Sequence, residues 1–155
     1  MATRLHHGAI VAHDVESSLR FYRDGIGLEV LMDHVFDGDW PALFDAPSTR
    51  LRSIFLGDHR HPDAGVVELV VFDEGDSPAS SAPGASGSGP GFFLLSFYVD
   101  VEAVLGRLEA LGFGPARRIE QPAPTGAVTM ASLCDPDGVR IELVDIGAPS
   151  GAVSG

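Results

Sequence analysis

The feature that most constrains the fold is a repeat, because two short motifs occur twice in the same order. The pattern DVExxL begins at Asp14 and again at Asp100, and the pattern ELV begins at Glu68 and again at Glu142. Each DVExxL motif follows an apolar run typical of a strand, and each ELV motif lies in the last strand-like run of its half. Repeated supersecondary units of this kind pack against one another. The chain is therefore predicted to consist of two similar modules.

A segment without large side chains separates the two halves. Residues 75–91, GDSPASSAPGASGSGPG, contain only Gly, Ser, Pro, Ala and one Asp, a composition that cannot bury enough surface to order itself. We interpret this segment as a flexible linker. The predicted organisation is a first module at 1–74, the linker at 75–91, a second module at 92–147 and a disordered tail at 148–155.

Within each module the sequence predicts a strand, a helix and three further strands. Asp14 and Asp100 are suited to begin the helices, because an aspartate carboxylate accepts hydrogen bonds from the free amides of a first turn. The helices are predicted at 15–23 and 101–111, each ending at glycine: Gly25 and Gly27, then Gly112 and Gly114. The strands are predicted at 8–12, 28–36, 49–57 and 65–72, and then at 92–99, 113–120, 127–134 and 139–146.

Composition excludes several classes of function. The net charge of −12 repels phosphate backbones and anionic lipids, so nucleic acid and membrane surfaces are not expected partners. No apolar stretch approaches the ~18 residues of a membrane span, and the start lacks the features of a secretory signal, so we expect a cytoplasmic protein. Lysine is absent, which excludes chemistry through a Schiff base. The single cysteine, Cys134, allows no internal disulfide and is predicted to be a small buried core residue.

Glu68 occupies an unusual position for a carboxylate. It lies inside VVELVVF, residues 66–72, where alternation along a strand makes both faces apolar. A buried carboxylate without a partner is costly, so something is expected to neutralise it. On the first strand His7 points away from the small apolar face of Gly8, Ile10 and Ala12, which suits a packed helix. If the modules pair by pseudo-twofold symmetry, His7 and both ELV glutamates converge, and these are ligands for a divalent metal.

The residues alone leave another interpretation open. Both glutamates can instead face solvent from a one-sided sheet and pair with arginine, and for Glu142, which shares its face with Arg140, the two interpretations are equally weighted. A lone His7 is ordinarily a core or surface residue, and only its coincidence with the glutamates favours a site. The arginines available for such pairing are Arg50, Arg52 and Arg140.

The other histidines are weaker candidates. His59 and His61 have a spacing that can bind metal, but their polar surroundings predict a solvated turn. His34 can line a pocket with Trp40 or can lie in the core or at its rim. His13 follows the first strand and has no partner that the sequence identifies.

The chain resembles the vicinal oxygen chelate superfamily, which includes glyoxalase I, methylmalonyl-CoA epimerase, extradiol dioxygenases, and the fosfomycin and bleomycin resistance proteins. The resemblance is carried by LHHGAIVAHDVESSLRFYRDGIGLEV at 5–30, VVELVVF at 66–72 and DPDGVRIELVD at 135–145. It implies an α+β fold in which two βαβββ modules form an eight-stranded sheet cup around a divalent metal. Members are often homodimers, so the resemblance also implies a homodimer whose modules pair within or between chains.

The resemblance also implies a set of site residues. His7, Glu68 and Glu142 match metal ligands of the superfamily, whereas the position of a second histidine is occupied by Phe93 or, with a shift of one residue, by Leu94. Neither Phe93 nor Leu94 can bind a metal. Since extradiol oxygen activation usually rests on two histidines and one carboxylate around Fe(II), that branch is disfavoured.

The function implied is that of a glyoxalase-type lyase or isomerase. A divalent metal (Zn, Ni, Co, Mn or Fe) would polarise a substrate carbonyl, and Glu142 or Glu68 would carry the proton from the adjacent carbon. The alternative is a metal-free protein that sequesters a small molecule, as the bleomycin resistance branch does. The residues predicted to form the pocket wall are Trp40, Phe44, Phe93, Leu94, Phe97 and Tyr98.

Overall fold

The computed structural model describes residues 3–73, 89–124 and 126–145. Most of the predicted linker, residues 75–88, and the whole predicted tail, 148–155, lie outside these residues. Among the helices that the structure describes, none combines the length and the apolar character needed to cross a bilayer.

The residues that the structure describes contain eight strands, which form two four-stranded sheets, one in each half of the chain. The chain divides into two compact units, unit 1 (Met1–Ala82) and unit 2 (Pro83–Gly155), and this boundary falls inside the segment predicted as a linker. The strands of unit 1 are β1 (His7–Val11), β2 (Glu29–Asp37), β3 (Arg50–Gly57) and β4 (Val66–Phe72). Those of unit 2 are β5 (Leu95–Val99), β6 (Arg117–Ala123), β7 (Gly126–Cys134) and β8 (Arg140–Asp145).

The two sheets have the same topology. Their strand orders are β1-β4-β3-β2 and β5-β8-β7-β6. The first strand of each unit pairs in parallel with the last, and the remaining neighbours are antiparallel. A parallel pair needs a crossover connection, which begins in each unit with a helix after the first strand. The predicted fold class, α+β with two βαβββ modules, is confirmed.

The predicted helix starts are confirmed in both units. Helix α1 (Val15–Leu19) begins after Asp14, whose carboxylate accepts hydrogen bonds from the amides of Glu16 and Ser17. A further helix in unit 1, α2 (Trp40–Phe44), was not predicted from the sequence. Helix α3 (Val101–Ala110) begins after Asp100, whose carboxylate accepts a hydrogen bond from the Ala103 amide.

The first helix ends later than predicted. It continues as a π-helical segment, Arg20–Ile26, and Gly25 lies buried inside this segment instead of terminating it. Glycine adopts helical dihedrals as well as left-handed ones, so its presence alone did not determine where the helix stops. The terminating residue is Gly27, whose φ of 99° is left-handed. In unit 2 the corresponding left-handed glycine is Gly112, with φ 88°.

Each sheet buries one face under its helix. In unit 1, α1 packs against β4, and the residues paired across β1, β4 and β3 on this face are buried. In unit 2, α3 packs against β7 and β8. Burying each such aliphatic side chain stabilises the fold by about 1.5–3 kcal/mol, so these faces anchor the sheets and leave the opposite faces available for polar groups. The buried members are Ile10, Ile54 and Leu69 in unit 1, and Leu133, Ile141 and Leu143 in unit 2.

Two sequence predictions in unit 2 are corrected by this arrangement. Cys134 was predicted to be buried, but it is exposed at the end of β7. Alternation explains the error, because Leu133 points toward the helix and Cys134 therefore points to the opposite face. Strand β6 begins at Arg117, after Pro115, and it continues through Pro122. Since β6 is an edge strand, the missing amide of Pro122 leaves no gap in the sheet.

Candidate functional site

The uncovered face of the unit 1 sheet carries a polar cluster. Cross-strand pairing places Glu68 opposite Ala9 of β1 and opposite Phe55 of β3. Because side chains alternate, His7 lies on this same face two residues before Ala9, and Ser53 lies on it two residues before Phe55. These positions bring groups from three strands to the Glu68 carboxylate.

The Glu68 carboxylate has a partner on each oxygen. The Ser53 hydroxyl donates a hydrogen bond to Oε1 at 2.5 Å. The His7 imidazole meets Oε2 through Nε2 at 3.1 Å. The Glu68 side chain is 12% exposed and that of His7 is 36% exposed, so water reaches the cluster from the histidine side. The unusual position of a carboxylate in an apolar strand is thus explained by a hydroxyl donor and an imidazole.

The arginines considered for Glu68 have other partners. Arg52 forms a two-bond pair with Asp33, at 2.9 and 2.8 Å. Its hydrogen bonds hold the pKa of Asp33 below the ordinary value. Arg50 lies 3.1 Å from an Asp73 carboxylate oxygen. Arg52 points to the helix side of the sheet, because it is one residue away from Ser53 along β3.

A second histidine extends the cluster outward. His6 Nδ1 lies 2.7 Å from His7 Nδ1, and the two rings are edge to face with centroids 5.0 Å apart. Phe55 contacts both rings, with centroid distances of 5.7 Å to His6 and 5.4 Å to His7. The residues from His6 to Ser53 therefore form one continuous array, which we call the His6–Ser53 array: His6, His7, Phe55, Glu68 and Ser53.

The His7–Glu68 pair fits one edge of a metal coordination sphere. Nitrogen and oxygen ligands bound at about 2.1 Å to one ion lie about 3 Å apart when the angle between them is near a right angle. The Nε2 to Oε2 separation of 3.1 Å matches this spacing. Among the residues that the structure describes, no three His, Cys, Asp or Glu side chains come together as a metal site.

Glu142 has different neighbours in unit 2. It pairs with Ser96 of β5 and with Ser132 of β7. No described side chain of its own unit forms a hydrogen bond or ion pair with its carboxylate. Arg140, which was considered as its partner, stacks its guanidinium over the Phe93 ring at 4.5 Å from the centroid. Glu142 is half-buried and therefore keeps a carboxylate available for another group.

Strand register identifies which unit 2 residue stands where His7 stands in unit 1. His7 pairs with Val66, two residues before Glu68. In unit 2, Leu95 pairs with Ile141, so the residue opposite Arg140, two before Glu142, is Leu94. Counting residues back from the helix cap would indicate Phe93 instead. The two counts differ because the strand residue opposite the glutamate lies one residue closer to the helix cap in unit 2 than in unit 1. The register therefore selects Leu94.

The residues predicted to line a pocket fall on different elements. Trp40 and Phe44 lie in α2 with parallel rings, and the Trp40 indole donates to the Phe36 carbonyl at 3.2 Å. Tyr98 shares the Glu142 face of unit 2 and is 79% exposed, whereas Phe97 pairs with Leu143 on the helix face. Phe97 and Tyr98 therefore point to opposite sides of one sheet.

His34 lies on the face of the array, whereas His61 and the groove of unit 2 do not. His34 pairs with Ser53 across β2 and β3, so it shares the face of the array. His61 contacts Asp58 in an exposed loop, as expected of a solvated turn. A groove of about 500 Å³ in unit 2 lies between the end of α3 and Leu133. Because Leu133 points to the helix side, this groove lies on the face opposite Glu142.

Sequence reasoning missed three members of the array. His6 was not among the candidate site residues, although the doubled histidine was a visible signal. Ser53 is the only small polar residue in the run LRSIFLG, at 51–57, and strand alternation could have placed it beside Phe55 on one face. Neither position reveals a contact with Glu68 until the pairing of β3 with β4 is known.

Comparison with known proteins agrees with the fold. The family model described as Glyoxalase/Bleomycin resistance protein/Dioxygenase superfamily matches residues 4–143. The lactoylglutathione lyase-like protein terB of Aspergillus terreus is 34% identical to this chain, and the alignment covers 90% of this chain and 74% of that protein.

Solved structures show the same fold. A glyoxalase family protein from Bacillus cereus gives a TM-score of 0.72 at 17% identity, over 94% of this chain and 95% of that one. A trypanothione-dependent glyoxalase I of Leishmania major gives 0.56 at 20% identity, over 93% of this chain and 87% of that one. With the family model spanning most of its length, this chain belongs to the Glyoxalase/Bleomycin resistance protein/Dioxygenase superfamily.

Proposed function

We propose that this protein is a glyoxalase-type lyase or isomerase that uses a divalent metal held by His7, Glu68 and Glu142. The observation that carries the proposal is the His7–Glu68 pair, whose donor atoms are spaced as two neighbouring ligands of one ion. The similarity to a lactoylglutathione lyase-like protein supports the reaction class. A bound divalent ion at this site supplies Lewis acidity toward a substrate carbonyl.

The surroundings of the two glutamates suggest separate roles. Glu68 is fixed by Ser53 and His7, so its carboxylate is oriented and is poorly suited to swing toward a substrate. Glu142 has no such partner among the described residues of its unit, and we assign to it the transfer of the proton from the carbon next to the carbonyl.

The first test is the metal content of the purified protein, with His7→Ala and Glu142→Gln compared against His59→Ala. His59 lies in an exposed loop, so its variant controls for the loss of a histidine as such. We expect about one equivalent of transition metal in the wild type and in His59→Ala, and loss of metal in His7→Ala. Wild-type protein that stays free of metal after incubation with Zn²⁺, Ni²⁺, Co²⁺ and Mn²⁺ would overturn the proposal.

A second experiment separates ligation from proton transfer. Methylglyoxal mixed with a thiol cofactor such as glutathione is the first substrate to assay, because the similarity points to a lactoylglutathione lyase-like reaction. If Glu142 carries the proton, Glu142→Gln lowers kcat by a factor of about 10²–10⁴ even when metal is added in excess. Equal activity of the wild type and Glu142→Gln at saturating metal would remove Glu142 from this role.

A second candidate function is binding and sequestration of a small molecule without a metal. The observation that favours it is Leu94, which stands in unit 2 where His7 stands in unit 1 and cannot be a ligand. The net charge of −12 would favour a cationic ligand. Under this hypothesis His7→Ala leaves affinity for a cationic aromatic compound such as bleomycin unchanged, whereas under the enzyme hypothesis no such binding is expected.

A further inference from the structure

We propose that His6 is a positioning residue, which holds the His7 imidazole through an Nδ1 to Nδ1 hydrogen bond so that His7 Nε2 faces Glu68. The proposal has one part that concerns the protein without metal and one part that rests on the proposed function. His6 precedes β1 and its side chain is exposed, so it contributes little to the core. Its contacts are with His7 and Phe55.

The 2.7 Å separation of the two Nδ1 atoms requires one of them to donate and the other to accept. His7 Nε2 lies 3.1 Å from Glu68 Oε2, so with an ionised carboxylate this nitrogen carries a proton and donates it. A neutral His7 ring then has a lone pair on Nδ1. His6 Nδ1 is therefore the donor, and the chain of bonds runs from His6 through His7 to Glu68.

Phe55 limits the motion of both rings. Its ring lies against His7 at an interplanar angle of 33° and against His6 at 63°. Rotation of His7 by half a turn would exchange Nδ1 with a carbon atom and break the bond to His6. The aromatic contact restricts the rings in general, whereas the hydrogen bond selects which edge of His7 faces Glu68.

The hydrogen bond between His6 and His7 can also form in the metal-bound protein when the protons of the two rings are rearranged. A ligating His7 Nε2 presents a lone pair, so the proton of the neutral ring is on Nδ1 and is donated to His6 Nδ1. His6 then carries its own proton on Nε2, which faces outward. Each ring keeps one proton, so the rearrangement releases none from the pair. Removal of an acceptor of this kind typically weakens metal affinity by about 10–100-fold.

The test in the metal-free protein is a nitrogen NMR measurement at alkaline pH on protein with labelled histidine rings. A scalar coupling between His6 Nδ1 and His7 Nδ1 across the hydrogen bond is expected in the wild type and in His59→Phe, the matched control. His6→Phe keeps the ring contact with Phe55 but removes the bond, and His7 should then show a mixture of ring orientations. Uncoupled nitrogens in the wild type, or an unchanged His7 ring in His6→Phe, would overturn the proposal.

The test with metal compares Zn²⁺ affinity by calorimetry. His6→Phe should bind about 10–100-fold more weakly than the wild type. His6→Asn should recover most of this loss, because an Asn amide offers both a donor and an acceptor at the Nδ1 position. Equal affinities in the wild type and His6→Phe would show that His6 does not act on the site. If the wild type binds none of Zn²⁺, Ni²⁺, Co²⁺ and Mn²⁺, the proposed function fails, while the NMR measurement still decides the role of His6.

Discussion

Units 1 and 2 build the same sheet but surround the glutamate of its last strand differently. In unit 1 Glu68 is held by Ser53 and His7, whereas in unit 2 the described neighbours leave the Glu142 carboxylate without a hydrogen-bond donor. The residue that takes the place of Ser53 in unit 2 is Met130, since Ser53 pairs with Val70 and Met130 with Val144. Leu94 takes the place of His7.

The difference between the two glutamates lies on the faces that the helices leave uncovered. The helix-covered faces share fully buried residues at matching positions, such as Leu69 and Leu143. The buried face determines whether a module folds, and the opposite face can change residue by residue without disturbing the strand order. One module therefore orients a carboxylate, while the other presents a freer one.

The largest effect on stability is expected from truncating the matched core residues of the two units. Leu69→Ala and Leu143→Ala each delete a side chain that is 0% exposed, and each should lower the free energy of unfolding by about 2–5 kcal/mol. Urea unfolding followed by circular dichroism measures the loss. Leu43→Ala, at a position that is 66% exposed, should stay within about 0.5 kcal/mol of the wild type. A negligible effect in only one unit would show that the two cores are not equivalent.

A smaller effect is expected from the serines beside the two glutamates. Ser53 is 2% exposed and donates to Glu68, so Ser53→Ala leaves a largely buried carboxylate oxygen without its donor. The expected loss is about 1–3 kcal/mol in the free energy of unfolding. Ser132→Ala, beside Glu142 in unit 2, should change it by less than about 0.5 kcal/mol. Equal losses in the two variants would contradict the difference between the glutamates.

The proposed metal site can be tested by placing a histidine in unit 2 at the position equivalent to His7. Leu94→His places an imidazole at the position that strand register equates with His7, and we expect Zn²⁺ affinity to rise by at least about tenfold, or 1.4 kcal/mol. Calorimetric titration with Zn²⁺ measures this change. Phe93→His is the comparison variant, because Phe93 is the position that counting from the helix cap equates with His7. A gain in Phe93→His and none in Leu94→His would show that the helix cap, not the strand register, sets the equivalence.

The smallest effect concerns the segments that lead into β4 and β8. In unit 2 the buried Asp135 carboxylate accepts hydrogen bonds from the Asp137 and Val139 amides. In unit 1 hydrogen bonds from His61 and from the Arg60 amide lower the pKa of Asp58 from 3.8 to about 2. A lowered folded-state pKa means that the stabilisation is present above about pH 4 and is lost as the pH falls toward 2.

The pKa of Asp58 is measured by following its carboxyl carbon by NMR during an acid titration. Since the His61 hydrogen bond is the largest cause of the shift, His61→Ala should raise the Asp58 pKa toward its ordinary value. Asp58→Asn should flatten the dependence of stability on pH between 4 and 2. An Asp58 pKa that is the same in His61→Ala as in the wild type would assign the shift to the Arg60 amide instead.

Much of the fold could be predicted because its signals are local. The aspartate caps at Asp14 and Asp100 act within one helical turn, and apolar alternation identifies strands over a few residues. Helix ends and strand starts were less accurate, as Gly25 and Pro122 illustrate. Whether a glycine inside a helix or a proline on an edge strand is tolerated depends on the surrounding packing. A short stretch of sequence does not show that packing.

Two members of the His6–Ser53 array were predicted from the sequence, and three were not. His7 and Glu68 were selected from the repeat and the family resemblance, and the structure places them in contact. Ser53 and Phe55 could not be selected in the same way, because their roles depend on which residues face each other across β3 and β4. Register is a tertiary property, fixed by the whole buried face.

The sequence by itself determined the two-module organisation, the helix caps, the exclusion of Schiff-base chemistry, and the candidates His7, Glu68 and Glu142. These follow from residue type and spacing. Only the tertiary structure decided what neutralises Glu68, that Leu94 and not Phe93 stands in the place of His7, and that Cys134 is exposed. The physical reason is that hydrogen bonds and burial depend on distances between strands far apart in the chain, which are set when the helix faces pack.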